Sequence, residues 1–155
     1  MNTVLQLKPQ KRIEFEIVAP QEITLIWDEI VPGLRKAQRY GDRWRPEDIY
    51  GSLKSGQSTL HVWKDGFRVK AFLITTVLQD FVGTVLHVWI AYADRGHAPR
   101  GAMDHGMIYL RGVASHIGAY RIQFWSPRKA WGKMAERLGF KPAQVLYELE
   151  TRQTS

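Results

Sequence analysis

The sequence predicts a single α/β domain, and three observations carry the prediction. Residues 12–18 alternate charged and apolar side chains, residues 59–92 are rich in strand-forming residues broken by turn signals, and residues 103–139 carry helical spacing on either side of one short apolar run. A period of two marks a half-buried strand and a period near 3.6 marks a helix with one apolar face, so both element types are present.

Taken in order, the run Arg-Ile-Glu-Phe-Glu-Ile-Val at 12–18 predicts a first strand with one wet face. From Pro20 onward, Ile23, Trp27, Ile30, Leu34 and Ala37 recur at helical spacing, while Pro32-Gly33 predicts a bend or a split. One broken helix and two short ones fit equally. Pro46 suits the first position of a second helix, with Glu47 and Asp48 complementing its dipole and an end near Ser55-Gly56.

Thr59 to Lys64 and Phe67 to Leu78 are β-rich and separated by Asp65-Gly66, which predicts a hairpin with those two residues in the turn. Thr84 to Tyr92 comes after the turn at Gly83 and completes a meander of three antiparallel strands. Met103, Met107, Leu110, Ala114 and Ile117 then mark a helix ending at Gly118, with a strand from Tyr120 to Trp125 after it. Ser126-Pro127 opens a last helix whose stripe, Trp131, Met134, Ala135 and Leu138, ends at Gly139. A closing strand is expected at Gln144 to Glu150.

With 155 residues, 45% of them hydrophobic and 24% charged, the chain can bury a core unaided. Residues 1–150 are expected to form the domain and 151–155 a polar tail. The absence of cysteine excludes disulfides, thiolate metal sites and cysteine nucleophiles. Met1 to Gln10 lacks the apolar core of a signal peptide, and no apolar run approaches a membrane span, so a cytoplasmic protein is expected. A formal charge of +7 makes this a basic protein that attracts polyanions of any kind.

The element order, with Gly118-Ala119-Tyr120-Arg121-Ile122-Gln123-Phe124 and the ending Leu138-Gly139-Phe140, resembles the GNAT N-acetyltransferases over nearly the whole chain. The resemblance implies a mixed, mostly antiparallel central sheet with helices on both faces. It also implies acetyl transfer from acetyl-CoA to an amine. In that family acetyl-CoA lies where two strands splay apart; the matching segments here are Leu86 to Tyr92 and Tyr120 to Trp125. Backbone contacts are thereby implied for Val88 and Ile90.

The family's phosphate loop reads Arg or Gln, two residues, Gly, one residue, then Gly or Ala. This chain departs from it. Arg95-Gly96 has the right distance from the strand and Arg100-Gly101-Ala102 the right distance to Gly118, so the implied phosphate contacts are Arg95, Gly96, Arg100, Gly101 and Ala102. An insertion reconciles the two, with Gly101 and Ala102 opening the helix. The family's usual acid, a tyrosine four residues before the glycine of Leu-Gly-Phe, is replaced by Ala135, leaving Tyr92, Tyr120 or a water. As candidate base, His87 titrates near neutrality and lies in the matching strand, with Asp80 second.

A narrower likeness of Arg128, Trp131, Gly139-Phe140 and Trp27 is to divergent GNAT-like proteins of tailed bacteriophages. With the altered loop, it implies an alternative: a non-enzymatic, virion-associated structural or assembly protein with protein partners. Nucleic-acid binding, suggested by Arg35, Lys36, Arg39, Arg43 and Arg45 with Tyr40 and Trp44 interleaved, is not favoured over a solvated helix end. Neither is a metal site from Asp94, His97, Asp104 and His105, whose spacing matches no ligand pattern.

Overall fold

The computed structural model describes residues 14–39, 42–94, 101–126 and 131–152, and its contacts divide the chain into two units, Met1–Trp125 and Ser126–Ser155. In the first unit, strands β1 (Phe15–Val18), β2 (Thr59–Asp65), β3 (Arg68–Gln79), β4 (Thr84–Ala93) and β5 (Ala119–Phe124) form one sheet in sequence order. The first four pair antiparallel; β4 and β5 are parallel. The parallel pair is joined by helix α3 (Ala102–Ile117), as parallel strands need a crossover.

Helices α1 (Ile23–Ala37) and α2 (Pro46–Lys54) cover one face, and α3 covers the other. On the first face Ile23, Ile26, Ile30 and Leu34 of α1 and Ile49 and Leu53 of α2 pack on Leu60, Val62, Phe72, Ile74 and Ile90. On the second, Leu110 and Ala114 of α3 meet Leu73, Leu86 and Val88. The mixed, mostly antiparallel sheet with helices on both faces is therefore present.

Helix α1 is neither broken nor doubled, because it runs unbroken through Pro32. An internal proline costs about 3 kcal/mol. Burying each of the four aliphatic side chains on that helix returns about 1.5–3 kcal/mol, so packing outweighs the break. The adjacent Gly33 is required by proximity: a Cβ there would stand 2.6 Å from the Phe72 ring and 2.8 Å from that of Tyr92.

The β2–β3 hairpin differs from expectation by one residue. Asp65 pairs with Arg68, so Gly66 and Phe67 make the turn. Gly66 has φ +62° and Phe67 has no positive φ, the pattern of a type II′ turn, which needs glycine at its first central position. Phe67 is left at the tip, 96% exposed.

In the second unit, helix α4 (Trp131–Arg137) ends at Gly139, φ +90°, where the Phe140 amide donates to the Ala135 carbonyl at 2.8 Å. This is the left-handed glycine ending that the sequence predicts. The closing strand expected at Gln144 to Glu150 is not formed. Residues 140–150 join no ladder, and Val145, Leu146, Tyr147 and Leu149 are exposed; β-propensity alone makes no strand without a partner edge. Among the described residues, no helix is long and apolar enough to cross a membrane.

Candidate active site

The site is built by an irregularity in β4. Ile74 of β3 pairs with Ile90 and the next residue, Thr75, pairs with Val88, so Trp89 is an extra residue in β4. A bulge of this kind bends its strand and reverses the facing of the residues beyond it. Accordingly Leu86 and Val88 point into the α3 core, while Ile90 points into the α1 core. The bulge coincides with the end of the parallel pairing: Val88 opposite Phe124 is the last pair, and β4 continues to Ala93 without β5 beside it.

The two strands thus part at their C-terminal ends, leaving a gap beside Trp89, Ile90, Ala91 and Tyr92. Because β5 begins opposite Thr84, α3 runs back along the sheet, and its N-terminus lies at the end where the gap opens. Gly101 is the N-cap of α3, in the left-handed region at φ +83°, and its carbonyl accepts the His105 amide at 3.0 Å. Among the described residues no side chain caps this end, and the Ala102 and Met103 amides have no intrahelical acceptor. Such an end attracts anions and lets a phosphate approach the backbone closely.

His87 precedes the bulge, on the opposite face from Leu86 and Val88, and is 5% exposed. Its ring lies under Trp125, with centroids 4.5 Å apart, and its Nδ1 has a long 3.5 Å contact with the Gln123 amide. Burial pushes its pKa below the ordinary histidine value, so the imidazole is neutral at pH 7. Trp125 was not a sequence candidate; no local motif marks it, because it meets His87 only through the β4–β5 pairing. Tyr92 lies on the splayed part of β4, its ring 5.3 Å from that of Phe72.

Asp80 and Tyr120 are placed elsewhere. Thr84 pairs with Ala119 and Val85 with Arg121, so Tyr120 is an extra residue in β5, and its hydroxyl donates to the Asp80 carboxylate. That hydrogen bond, with the Gly83 and Val82 amides and Arg121 nearby, holds the Asp80 pKa below the usual carboxylate range. Both lie at the opposite end of the β4–β5 pair from the gap, about 13 Å away at 3.3 Å per residue. Neither the second candidate base nor this candidate acid stands in the gap.

Of the remaining candidates, Val88 is the last paired residue, Ile90 lies just past it, and Gly101 and Ala102 open α3 as expected. Arg95, Gly96 and Arg100 lie outside the described residues, as do His97, Tyr40 and Arg128. Trp27 packs edge-on against Tyr50. In the basic segment, Arg45 is bound to Asp48 through its own amide (2.8 Å) and its guanidinium (3.1 Å), and Trp44 packs against the α1 core. The segment is in part a capped helix start.

Structural comparison decides what this arrangement belongs to. A ribosomal-protein-alanine N-acetyltransferase from Brucella melitensis biovar Abortus superposes with a TM-score of 0.69 at 15% identity, over 88% of this chain and 99% of that one. The fold is that of the N-acetyltransferases. A GCN5-related N-acetyltransferase from Ralstonia eutropha matches at 0.69 and 14% identity, over 91% of this chain and 100% of that one. An aminoglycoside N-acetyltransferase in complex with CoA matches at 0.71 and 11% identity, over 95% of this chain and 100% of that one. No family model matches the sequence, and no curated protein matches it. The N-acetyltransferase fold is therefore legible in this chain through architecture, with little help from identity.

Proposed function

We propose that the chain binds acetyl-CoA in the gap between β4 and β5 and transfers the acetyl group to an amine. The observation that carries the reading is the bulge at Trp89, after which β4 leaves β5 beside the glycine-started end of α3. The residues fit the group. Past Val88, its last residue paired with β5, the edge of β4 around Ile90 offers backbone partners to an amide-bearing arm, and the amides of Ala102 and Met103 suit a pyrophosphate. Arg95, Gly96, Arg100 and Gly101 complete the phosphate contacts in this reading.

Acetyl-CoA supplies an activated thioester carbon. His87, kept neutral by burial, accepts the proton released when the amine nitrogen attacks, directly or through one water. Tyr92 is the tyrosine on the splayed strand able to return a proton to the departing thiolate.

The test is calorimetric titration with acetyl-CoA and separately with ATP, a polyanion control, on the native chain and on Arg100→Ala and Gly101→Val. The reading expects acetyl-CoA binding that weakens about tenfold or more in either variant, with little ATP binding. Absence of binding, or equal and salt-sensitive binding of both ligands, would overturn it.

A further inference from the structure

On the far edge of the sheet, away from the β4–β5 gap, a groove of about 460 Å³ runs between β1 and α1. Its lining is mostly polar, with large apolar side chains standing open to water at its rim. Leu25 on α1 is 87% exposed, Phe67 at the hairpin tip is 96% exposed, and Ile17 contributes the strand side. Among the described residues its charged lining is Glu16, Glu22 and Glu29 against one cation, Lys64, which is already held by Glu16 at 3.4 Å. Glu29 also accepts the Val69 amide at 3.3 Å, which fixes its carboxylate at the hairpin end.

Three carboxylates in a groove stand out in a chain of formal charge +7. The second feature is the backbone. β1 is the edge strand, paired on one side with β2 through Phe15 to Val18 and, among the described residues, with nothing on the other. An unpaired strand edge is a template for an added strand.

We infer that this groove docks an extended cationic segment of another protein. The segment adds antiparallel or parallel to β1. Its alternate side chains, spaced about 7 Å apart on one face, then point toward α1. Lysine or arginine at those positions lays its aliphatic stem along Leu25 and Phe67 and brings its charge to Glu22, Glu29 and Glu16. Main-chain hydrogen bonds supply affinity, and the carboxylates supply selection. The overall positive charge of the chain disfavours a cationic ligand elsewhere on its surface, so charge sharpens the choice of site.

The probe is an end-capped eight-residue peptide alternating lysine with valine, measured by fluorescence anisotropy against the full chain at low and high salt. Three comparisons accompany it: the same peptide with glutamate for lysine, one with alternate backbone nitrogens methylated, and the chain variant carrying Glu22→Lys with Leu25→Lys. Both substituted positions are exposed, so the fold is expected to persist, and a melting curve verifies this. Binding of the lysine peptide at least about tenfold tighter than either altered peptide, weakened about tenfold by the double substitution, supports the assignment. No binding, equal binding of the methylated peptide, or equal binding of the glutamate peptide overturns it. Concentration-dependent self-association abolished by the double substitution also overturns it, in favour of a second copy of this chain. The peptide comparisons decide the matter even if the variant fails to fold.

Discussion

The hydroxyl of Tyr109 on α3 stands 2.7 Å from Nδ1 of His61 on β2, while Nε2 of the same ring is 2.9 Å from the Thr75 hydroxyl on β3. One histidine thereby ties a helix to two strands across the α3 face. Each hydroxyl can donate or accept, so the neutral ring is satisfied in either tautomer. Burial, with the ring 1% exposed, lowers the His61 pKa to about 4.

That depressed value sets the sign of the pH effect. In the unfolded chain this histidine takes up a proton near pH 6.5, whereas in the folded chain it waits until about 4. Its contribution is therefore complete above 6.5 and is lost as pH falls from 6.5 to 4, by an amount on the order of 3 kcal/mol. Denaturant titrations at several pH values will show this decline, and His61→Gln will flatten it. An equal slope in both proteins would refute the assignment.

Removing the partner tests the same cluster independently. Tyr109→Phe leaves a buried ring nitrogen without its hydroxyl and is expected to cost about 1–3 kcal/mol. The lowered midpoint should be accompanied by faster amide exchange in α3.

Gly33→Ala brings a methyl group to 2.6 Å from Phe72 and 2.8 Å from Tyr92, well inside contact. Overpacking of this kind costs about 1–3 kcal/mol. Because Tyr92 lies on the splayed part of β4, acetyl-CoA affinity should fall together with the melting temperature. A substitution that leaves both unchanged would show that α1 can retreat freely.

Asp80→Asn separates stability from binding. The carboxylate holds Tyr120, Arg121 and the Val82 and Gly83 amides at the end of the sheet away from the gap. A lower melting temperature with acetyl-CoA affinity unchanged is the expected result. Loss of turnover in a fully folded Asp80→Asn protein would restore Asp80 as a candidate base.

Burial lowers the pKa of His87, and Trp125 lies against its ring. Trp125→Ala should move the His87 imidazole, tracked by NMR, upward toward the ordinary value. In an active preparation His87→Gln should reduce turnover of a primary amine by about 10²–10⁴ with little change in acetyl-CoA binding. The acid limb of the native pH profile should lie below 6.5, since a neutral imidazole persists to lower pH here.

Much of the architecture was legible because it is written in local periodicity and punctuation. The alternation around Phe15, the meander from Thr59 to Tyr92, the stripe of α3 and its Gly118 ending each depend on neighbours a few residues away. The same holds for the glycine-started α3: Gly101 and Ala102 stand where spacing to Gly118 placed them. Periodicity could not reveal features whose energy comes from another element. Pro32 reads as a break, yet α1 continues because its buried face outweighs the missing bond. Gln144 to Glu150 reads as a strand, yet joins no ladder, because strand propensity does not by itself supply a partner.

The sequence by itself determined the types and order of the elements from β1 to α4 and the kind of fold, since side-chain period and turn residues act over single turns and strands. The tertiary structure alone decided where β4 bulges, that Trp125 covers His87, that Tyr120 is held by Asp80 far from the gap, and that His61 is buried among hydroxyls. Each of these depends on which residue of one strand faces which residue of the next, and that register is fixed only when the sheet and its two cores close together.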